Sequence, residues 1–188
     1  MALLTAITVL ASSLLLVQGQ SPKTSEYQLK AVFLFNFAQF VDWPPSAAQD
    51  SQPPQPPQPP QPPLLIGILG DDPFGTFLDE TVRGERVGAR PIQVRRYRRI
   101  ADIEECNILF ISRSENERVP DILSVFKNRP VLTVSDADDF ASQGGIIEFF
   151  TDKSRIRLRI NLDAADAAKL TISSKLLRVA EVVRTPRR

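Results

Sequence analysis

Histidine is absent from the 188-residue sequence, and cysteine occurs only once, at Cys106. Without histidine, the Ser–His and Cys–His nucleophile pairs cannot form, and the usual histidine-containing zinc and haem sites are excluded. A single cysteine also excludes a disulfide within the chain. Because Cys106 comes directly before the apolar segment NILFI, we predict a buried thiol without a redox role. These absences disfavour catalysis, and we predict no catalytic residue, metal site or cofactor.

The chain also lacks a strong excess of either charge, since its net charge is +1. A nucleic-acid partner would receive no general electrostatic support, so none is predicted. Basic side chains are concentrated only in the segment VRRYRR, which holds Arg95, Arg96, Arg98 and Arg99. This segment has two interpretations: a solvated sheet edge, or a contact for anionic lipid, a nucleotide or an acidic protein.

Only one long apolar run is present, Met1–Val17, and the first charged side chain is Lys23. A membrane-spanning helix needs roughly 20 apolar residues, so the run is short for that role. The small residues Val17 and Gly19 suit signal-peptidase cleavage. We therefore predict a signal peptide over residues 1–19, cleaved near Gly19, and a single exported α/β domain over residues 20–188. Retention of the leader as an anchor is the alternative.

Low-complexity sequence is confined to residues 45–63, in which Gln52–Pro63 forms four Gln-Pro-Pro repeats. Such a sequence has no core-forming side chains and favours polyproline II. We predict a disordered loop inserted into the domain. Its role is open between a proline-recognition ligand and an insertion that a surface loop tolerates.

Beyond the insert, short apolar runs alternate with helical patterns. This alternation predicts a largely parallel, Rossmann-like or flavodoxin-like sheet flanked by helices. An antiparallel hairpin is expected near the C-terminus, where Arg155, Arg157 and Arg159 alternate with apolar residues and indicate a half-exposed edge strand. Strands are predicted at Leu64–Leu69, Pro91–Val94, Asn107–Ile111, Val131–Val134, Ile146–Phe150 and Arg155–Ile160. Helices are predicted at Thr76–Val82, Glu115–Lys127, Asp136–Ala141, Asp163–Leu170 and Ser174–Val183.

An aromatic segment, Tyr27–Pro44, precedes the insert and has the pattern of a helix. At 100° per residue, one broad face should pack on the sheet. Lys30 falls inside that face, either reaching solvent past the sheet edge or lying buried beside a cavity. Val32, Phe35 and Trp43 lie on the opposite side, where exposed apolar groups would mark a partner-binding surface. The face predicted to pack on the sheet comprises Leu29, Phe33, Leu34, Phe37, Phe40 and Val41.

Ligands of open α/β sheets bind outside the carboxyl ends of the strands. Asp71, Asp72 and Phe74 follow the first predicted strand, in the turn GDDPFG. They are candidates for a small-molecule site at this rim. The alternative is a turn with an aspartate cap and a proline at the helix entry.

Six segments taken in order resemble the YfiR family of periplasmic regulatory proteins. They are YQLKAVFLFNFAQFVDWP, IGILGDDPFG, CNILFIS, LTVSDADDFASQGGIIEF, RIRLRINLDAA and LTISSKLLRVAEVV. The resemblance implies a non-catalytic periplasmic protein that binds the periplasmic domain of a membrane-bound diguanylate cyclase, or of a similar sensor, and represses it. It further implies an outer-membrane lipoprotein that sequesters the repressor.

Two expectations remain open beside that role. The chain could instead be a periplasmic small-molecule binding protein that serves a sensor, and a homodimer is an alternative to a monomer. The single cysteine departs from the disulfides that the resemblance implies, so redox tuning is not expected.

Overall fold

A computed structural model describes residues 22–44 and 61–184 of the chain. The predicted signal peptide, residues 1–19, and residues 45–60 of the predicted insert lie outside the described residues. None of the helices in the described ranges has the length and apolarity needed to cross a membrane.

An eight-stranded sheet organises the domain. Its strands are β2 (Leu64–Leu69), β3 (Arg86–Val87), β4 (Arg90–Tyr97), β5 (Ile108–Ile111), β6 (Leu132–Ser135), β7 (Ile147–Asp152), β8 (Arg155–Asn161) and β10 (Ala180–Val183). They lie in the order β10-β8-β7-β6-β5-β2-β4-β3. Five central strands, β2 and β4 to β7, run parallel to one another, whereas β3, β8 and β10 run the other way. The predicted α/β fold with an antiparallel β7–β8 hairpin is confirmed.

Helices cover both faces of this sheet. The first helix ends at Phe40 rather than Pro44, because Val41–Asp42 form a strand, β1, that pairs with β9 (Thr171–Ile172). Leu64–Leu69 and Thr76–Val82 have the predicted bounds, since each pattern is bounded by proline or glycine turns. The helices are α1 (Pro22–Phe40), α2 (Thr76–Val82), α3 (Val119–Phe126), α4 (Leu162–Ala167) and α5 (Ser174–Leu177), with 3₁₀ turns at Ile100–Asp102 and Arg113–Arg118.

Two hydrophobic clusters divide the core between the sheet faces. Because side chains alternate along a strand, Ile108 and Phe110 join one cluster, whereas Leu109 and Ile111 join the other. The larger cluster lies under α1, where Leu34 and Phe37 are completely buried. The smaller cluster lies under α3. The sheet is therefore buried on both faces, as continuous apolar strands require.

The C-terminal prediction was wrong in two respects. Ser174–Val183 is not one helix, because α5 ends at Leu177 and Ala180–Val183 form β10, parallel to β8. The arginine-rich strand β8 is consequently not an edge strand, since β10 covers it. The segment SKLLRVAEVV has helical spacing, but its valines also suit a strand, and the open side of β8 favours strand pairing.

Two further helices differ from prediction. Asp136–Ala141 forms turns instead of a helix, because Asp139 adopts a left-handed φ of 59°. The α-helix predicted from Glu115 begins only at Val119. Pro120 explains this start, since proline is tolerated in the first turn of an α-helix but disrupts its interior.

Candidate functional site

The carboxyl edge of the parallel strands brings together charged groups that are far apart in the sequence. Asp136 follows β6, and its Oδ2 accepts hydrogen bonds from the Lys30 ammonium and the Tyr27 hydroxyl, each at 2.7 Å. Glu26 Oε1 lies 2.5 Å from the same ammonium. Only 2% of Lys30 and 2% of Asp136 is exposed. We call Glu26, Tyr27, Lys30, Arg113 and Asp136 the Lys30–Asp136 cluster.

Arg113, which follows β5, completes the cluster. Its Nε donates to the backbone oxygen of Asp136 at 2.8 Å and lies 3.7 Å from Asp136 Oδ1. That carboxylate oxygen is buried and accepts no hydrogen bond from the described residues. The buried carboxylate thus has two close donors on Oδ2 and a longer electrostatic contact on Oδ1.

Tyr27 shares this environment and packs edge-on against Phe74, with 5.6 Å between the ring centres. Burial raises the pKa of Tyr27 well above its usual range, and the hydrogen bond to Asp136 raises it further. The phenol therefore stays protonated at neutral pH and donates its hydrogen bond to Asp136.

This geometry resolves the two interpretations of Lys30. The prediction that it reaches solvent was wrong, and its burial is confirmed. The amine faces carboxylates rather than a cavity, so the pair attaches the first half of α1 to the end of β6. Sequence reasoning missed Asp136 as the partner, because a helical wheel shows which face a residue occupies but not what lies opposite.

The rim candidates occupy different environments. Phe74 is 1% exposed and packs between Tyr27 and Phe110, so its ring contributes to the core. Asp72 accepts hydrogen bonds from the backbone of Phe74 and from Arg96, each at 2.7 Å, whereas Asp71 is exposed. The Asp72 contact has the form of the predicted cap. A ligand at this rim remains a prediction.

The crevice between β2 and β5 is filled where the strand order reverses. A Cβ at Gly70 would lie 2.4 Å from Ser114 Oγ and 2.9 Å from Glu115 Cγ. The Ser114 hydroxyl also accepts a 2.9 Å hydrogen bond from the Asp71 amide. Side chains that follow β5 therefore occupy the position where this class of fold usually binds a ligand.

The predicted partner-binding residues differ in exposure. Val32 is 43% exposed, whereas Phe35 and Trp43 are half-buried and pack against the core under α1. Trp43 also donates from Nε1 to the backbone oxygen of Asn107 at 3.3 Å. Leu29, which was predicted to face the sheet, is 47% exposed. The helix is rotated so that Lys30 and Ala31 point inward and Leu29 and Val32 point outward.

Two arginines of the segment VRRYRR form ion pairs with nearby aspartates. Arg96 binds both Asp72 and Asp79, at 2.7 and 2.5 Å, and Arg99 binds Asp102 at 2.6 Å. The hydrogen bond from Arg96 holds the pKa of Asp79 below its usual range. These contacts neutralise part of the segment and support its interpretation as a solvated sheet edge.

A cross-strand acid–base row lies on β7, β8 and β10. Arg159 stands in register with Glu148 on one side and with Glu181 on the other. Its guanidinium lies 2.6 Å from Glu148 Oε1 and 3.4 Å from Glu181 Oε2. The alternating arginines of β8 predicted this polar face. The contact with Glu181 was not predicted, because the sequence pattern did not reveal β10 as a strand.

Cys106 is buried, as predicted, and its thiol donates to the Ile108 backbone oxygen at 2.9 Å. Burial raises the pKa of Cys106 to about 12. The thiol therefore stays protonated and unreactive at neutral pH.

The fold and these contacts define a single α/β domain whose aromatic first helix is attached to a mostly parallel sheet by a buried ion pair. A family model, DUF4154, described as YfiR/HmsC-like, matches residues 27–181, and the chain belongs to this family. The resemblance noted in the sequence is thereby confirmed.

Other comparisons give only distant likenesses. No curated protein matches the chain significantly. One similar solved structure is the ABC domain in complex with L-Trp from Streptococcus pneumonia, with 12% identity, a TM-score of 0.47, and coverage of 64% of this chain and 55% of that one. Another is a conserved domain protein from Vibrio cholerae O1 biovar El Tor str. N16961, with 12% identity, a TM-score of 0.45, and coverage of 63% and 54%. The chain spans little more than half of each, and neither carries a function over to it.

Proposed function

We propose that this chain is an exported regulatory protein that acts by binding and not by catalysis. Its target is the periplasmic domain of an inner-membrane signalling enzyme, a diguanylate cyclase or a similar sensor, which it restrains. Membership in the YfiR/HmsC-like family is the observation that carries the proposal. The leader predicted over residues 1–19 is consistent with export.

The charged groups at the carboxyl edge are placed for a structural role rather than for acid–base chemistry. Lys30 and Asp136 are almost completely buried and bind each other at 2.7 Å. A general acid or base must come within hydrogen-bonding reach of a substrate. These two groups are engaged with each other inside the protein, which suits a structural role.

The outward side of α1 is the proposed contact surface. Leu29 and Val32 are three positions apart, so they are neighbours on the helix, and each exposes more than two fifths of its surface. Phe35 and Trp43 are half-buried and are assigned to the border of this surface. Apolar groups that lose contact with water in a complex supply much of the binding energy of an interface.

Repression needs no chemistry on the target. A domain that binds the inactive conformation of a sensor more tightly than the active one shifts the sensor toward inactivity by that difference in affinity. An outer-membrane lipoprotein that competes for the chain would release the sensor. A homodimer would need a further interface, and the monomer is the simpler form of the proposal.

Two measurements test this proposal. The first is binding of the full mature chain to the purified periplasmic domain of a membrane cyclase encoded by a neighbouring gene. The second is the cyclic-di-GMP level in cells that carry both proteins. We expect binding and a lowered cyclic-di-GMP level. Val32→Glu should weaken binding about tenfold or more, since it places a charge in an apolar contact.

Val125→Glu is the matched control. Val125 is 46% exposed but lies on α3, over the opposite sheet face. This variant should bind like the wild type. Failure of the wild type to bind and lower cyclic-di-GMP would exclude the proposed repression, and equal weakening by both variants would exclude the α1 surface.

A further inference from the structure

A cleft opens at the amino end of the central strands, away from the Lys30–Asp136 cluster. Strands β6 and β7 pair only through Val134↔Ile147 and Ser135↔Glu148. Just before those pairs, the Ile146 amide donates to the Thr133 side chain, at Oγ1, over 3.1 Å. The cleft beside them, between α3 and α4, has a volume of about 460 Å³. This volume lies within the range of small-molecule sites.

The cleft is mainly apolar inside. Its lining includes Leu123 and Phe126 from α3, Val131 before β6, and Ile146 before β7. On the α4 side the lining is formed by alanines, including Ala164, Ala167 and Ala168. Small side chains on one wall and large ones on the other leave room for an apolar body of several carbon atoms.

Of the two charged side chains that line the cleft, only the acidic one has an ion-pair partner among the described residues. Lys127 and Asp163 are the charged residues of the lining. Asp163 already binds Arg184, with 3.2 Å between Oδ1 and the guanidinium. Lys127 is exposed, and within residues 22–44 and 61–184 no acidic group pairs with it. The C-terminal end of α3 contributes a partial negative charge of roughly half a unit, which is smaller than the full charge of the ammonium group.

We propose that this cleft binds a small amphipathic monocarboxylate, with its apolar chain between α3 and α4 and its carboxylate at Lys127. An apolar interior with one cation that has no ion-pair partner among the described residues fits this ligand class better than a neutral or cationic amphipath. The site is separate from the α1 surface, so it does not depend on the repressor role.

Calorimetric titration of the full mature chain with octanoate, hexanoate, 1-octanol and octylammonium tests the proposal. Octanoate should bind most tightly. Each buried methylene strengthens binding roughly fourfold at most, so hexanoate should bind about tenfold more weakly. Failure of octanoate to bind, or equal binding of 1-octanol or octylammonium, would overturn the proposal.

Two variants locate the site. Ala167→Leu fills the cleft from an exposed position on α4, and Lys127→Gln removes the cation without shortening the side chain much. Each should weaken octanoate binding at least fivefold. Lys175→Gln, at an exposed lysine on α5, should leave it unchanged. Thermal unfolding of each variant verifies folding, and octanoate binding that survives both cleft substitutions contradicts the assignment.

Discussion

The Lys30 ammonium nitrogen and Asp136 Oδ2 lie 2.7 Å apart, although 106 positions separate the two residues in the sequence. Both side chains are at least 97% buried. A buried ion pair gains little over a well-packed apolar pair, because desolvation of both charges offsets their attraction. Removing Asp136, however, leaves the buried Lys30 ammonium with only the partly exposed Glu26 carboxylate as its partner. The pair therefore makes the position of α1 on the sheet depend on both residues together.

Asp136→Ala should lower the free energy of unfolding by about 3–5 kcal/mol, the usual effect of breaking a buried pair. The double variant Lys30→Met/Asp136→Leu should recover most of that loss, because neither charge remains buried. Urea unfolding measures both effects. Arg99→Gln, which breaks the exposed pair with Asp102, serves as the control and should change stability little. Equal stability of the Asp136→Ala variant and the wild type would show that the pair is dispensable.

The row Glu148–Arg159–Glu181 allows two carboxylates on one arginine to be compared. Glu148 is 3% exposed, and its Oε2 also accepts a 2.9 Å hydrogen bond from the Ala141 amide. Glu148→Ala leaves the Ala141 amide without its acceptor and leaves Arg159 with only the more distant carboxylate of Glu181, so we expect the free energy of unfolding to fall by about 2–4 kcal/mol.

Glu181 is 45% exposed and lies on the edge strand. Glu181→Ala should therefore change stability by less than about 1 kcal/mol. Chemical unfolding of the two variants under the same conditions measures the contrast. A larger loss of stability from Glu181→Ala than from Glu148→Ala would mean that burial does not determine how much each carboxylate contributes.

Local patterns in the sequence predicted much of the fold. The run LLIGIL and the helix Thr76–Val82 were predicted to the residue, because proline or glycine turns bound both segments. Strand β10 was missed because its identity depends on β8. The valines of AEVV fit either structure, and the open neighbouring strand favours pairing.

The candidate site was less predictable, because its contacts depend on how α1 is oriented on the assembled sheet. The wheel of α1 placed Lys30 on the inward face correctly, but it also placed Leu29 there, and Leu29 is exposed. One residue corresponds to 100° of rotation, and the pattern of apolar residues did not fix the orientation of the helix that closely. The partner of Lys30 lies in a turn after β6, and only the assembled sheet brings the two residues together.

Cys106 should resist thiol reagents in the folded protein. Its pKa of about 12 leaves on the order of one molecule in ten thousand as thiolate at pH 8, and the thiolate is the reactive form. Labelling with Ellman's reagent should therefore follow the rate of unfolding, and it should become fast only in denaturant. Rapid labelling of the native protein at pH 8 would show that the thiol is accessible.

Alkaline pH should destabilise the protein. The folded state raises the pKa of both Cys106 and Tyr27, chiefly through burial, so it retains protons that the unfolded chain releases. Unfolded cysteine titrates near pH 8.5 and unfolded tyrosine near pH 10. Because the native state binds more protons in this range, stability must fall as pH rises. The thiol contributes a slope of up to about 1.4 kcal/mol per pH unit between roughly pH 8.5 and its folded pKa.

Urea unfolding from pH 7.5 to 11 separates the two groups. Cys106→Ala should flatten the decline between pH 8.5 and about pH 9, where tyrosine is still almost fully protonated in both states. Tyr27→Phe should leave that part unchanged and reduce the decline above pH 10. Part of the upper decline should persist in this variant, since burial also raises the pKa of Tyr97. A wild-type stability that stays constant from pH 8.5 to 10 would contradict the burial of a neutral thiol at position 106.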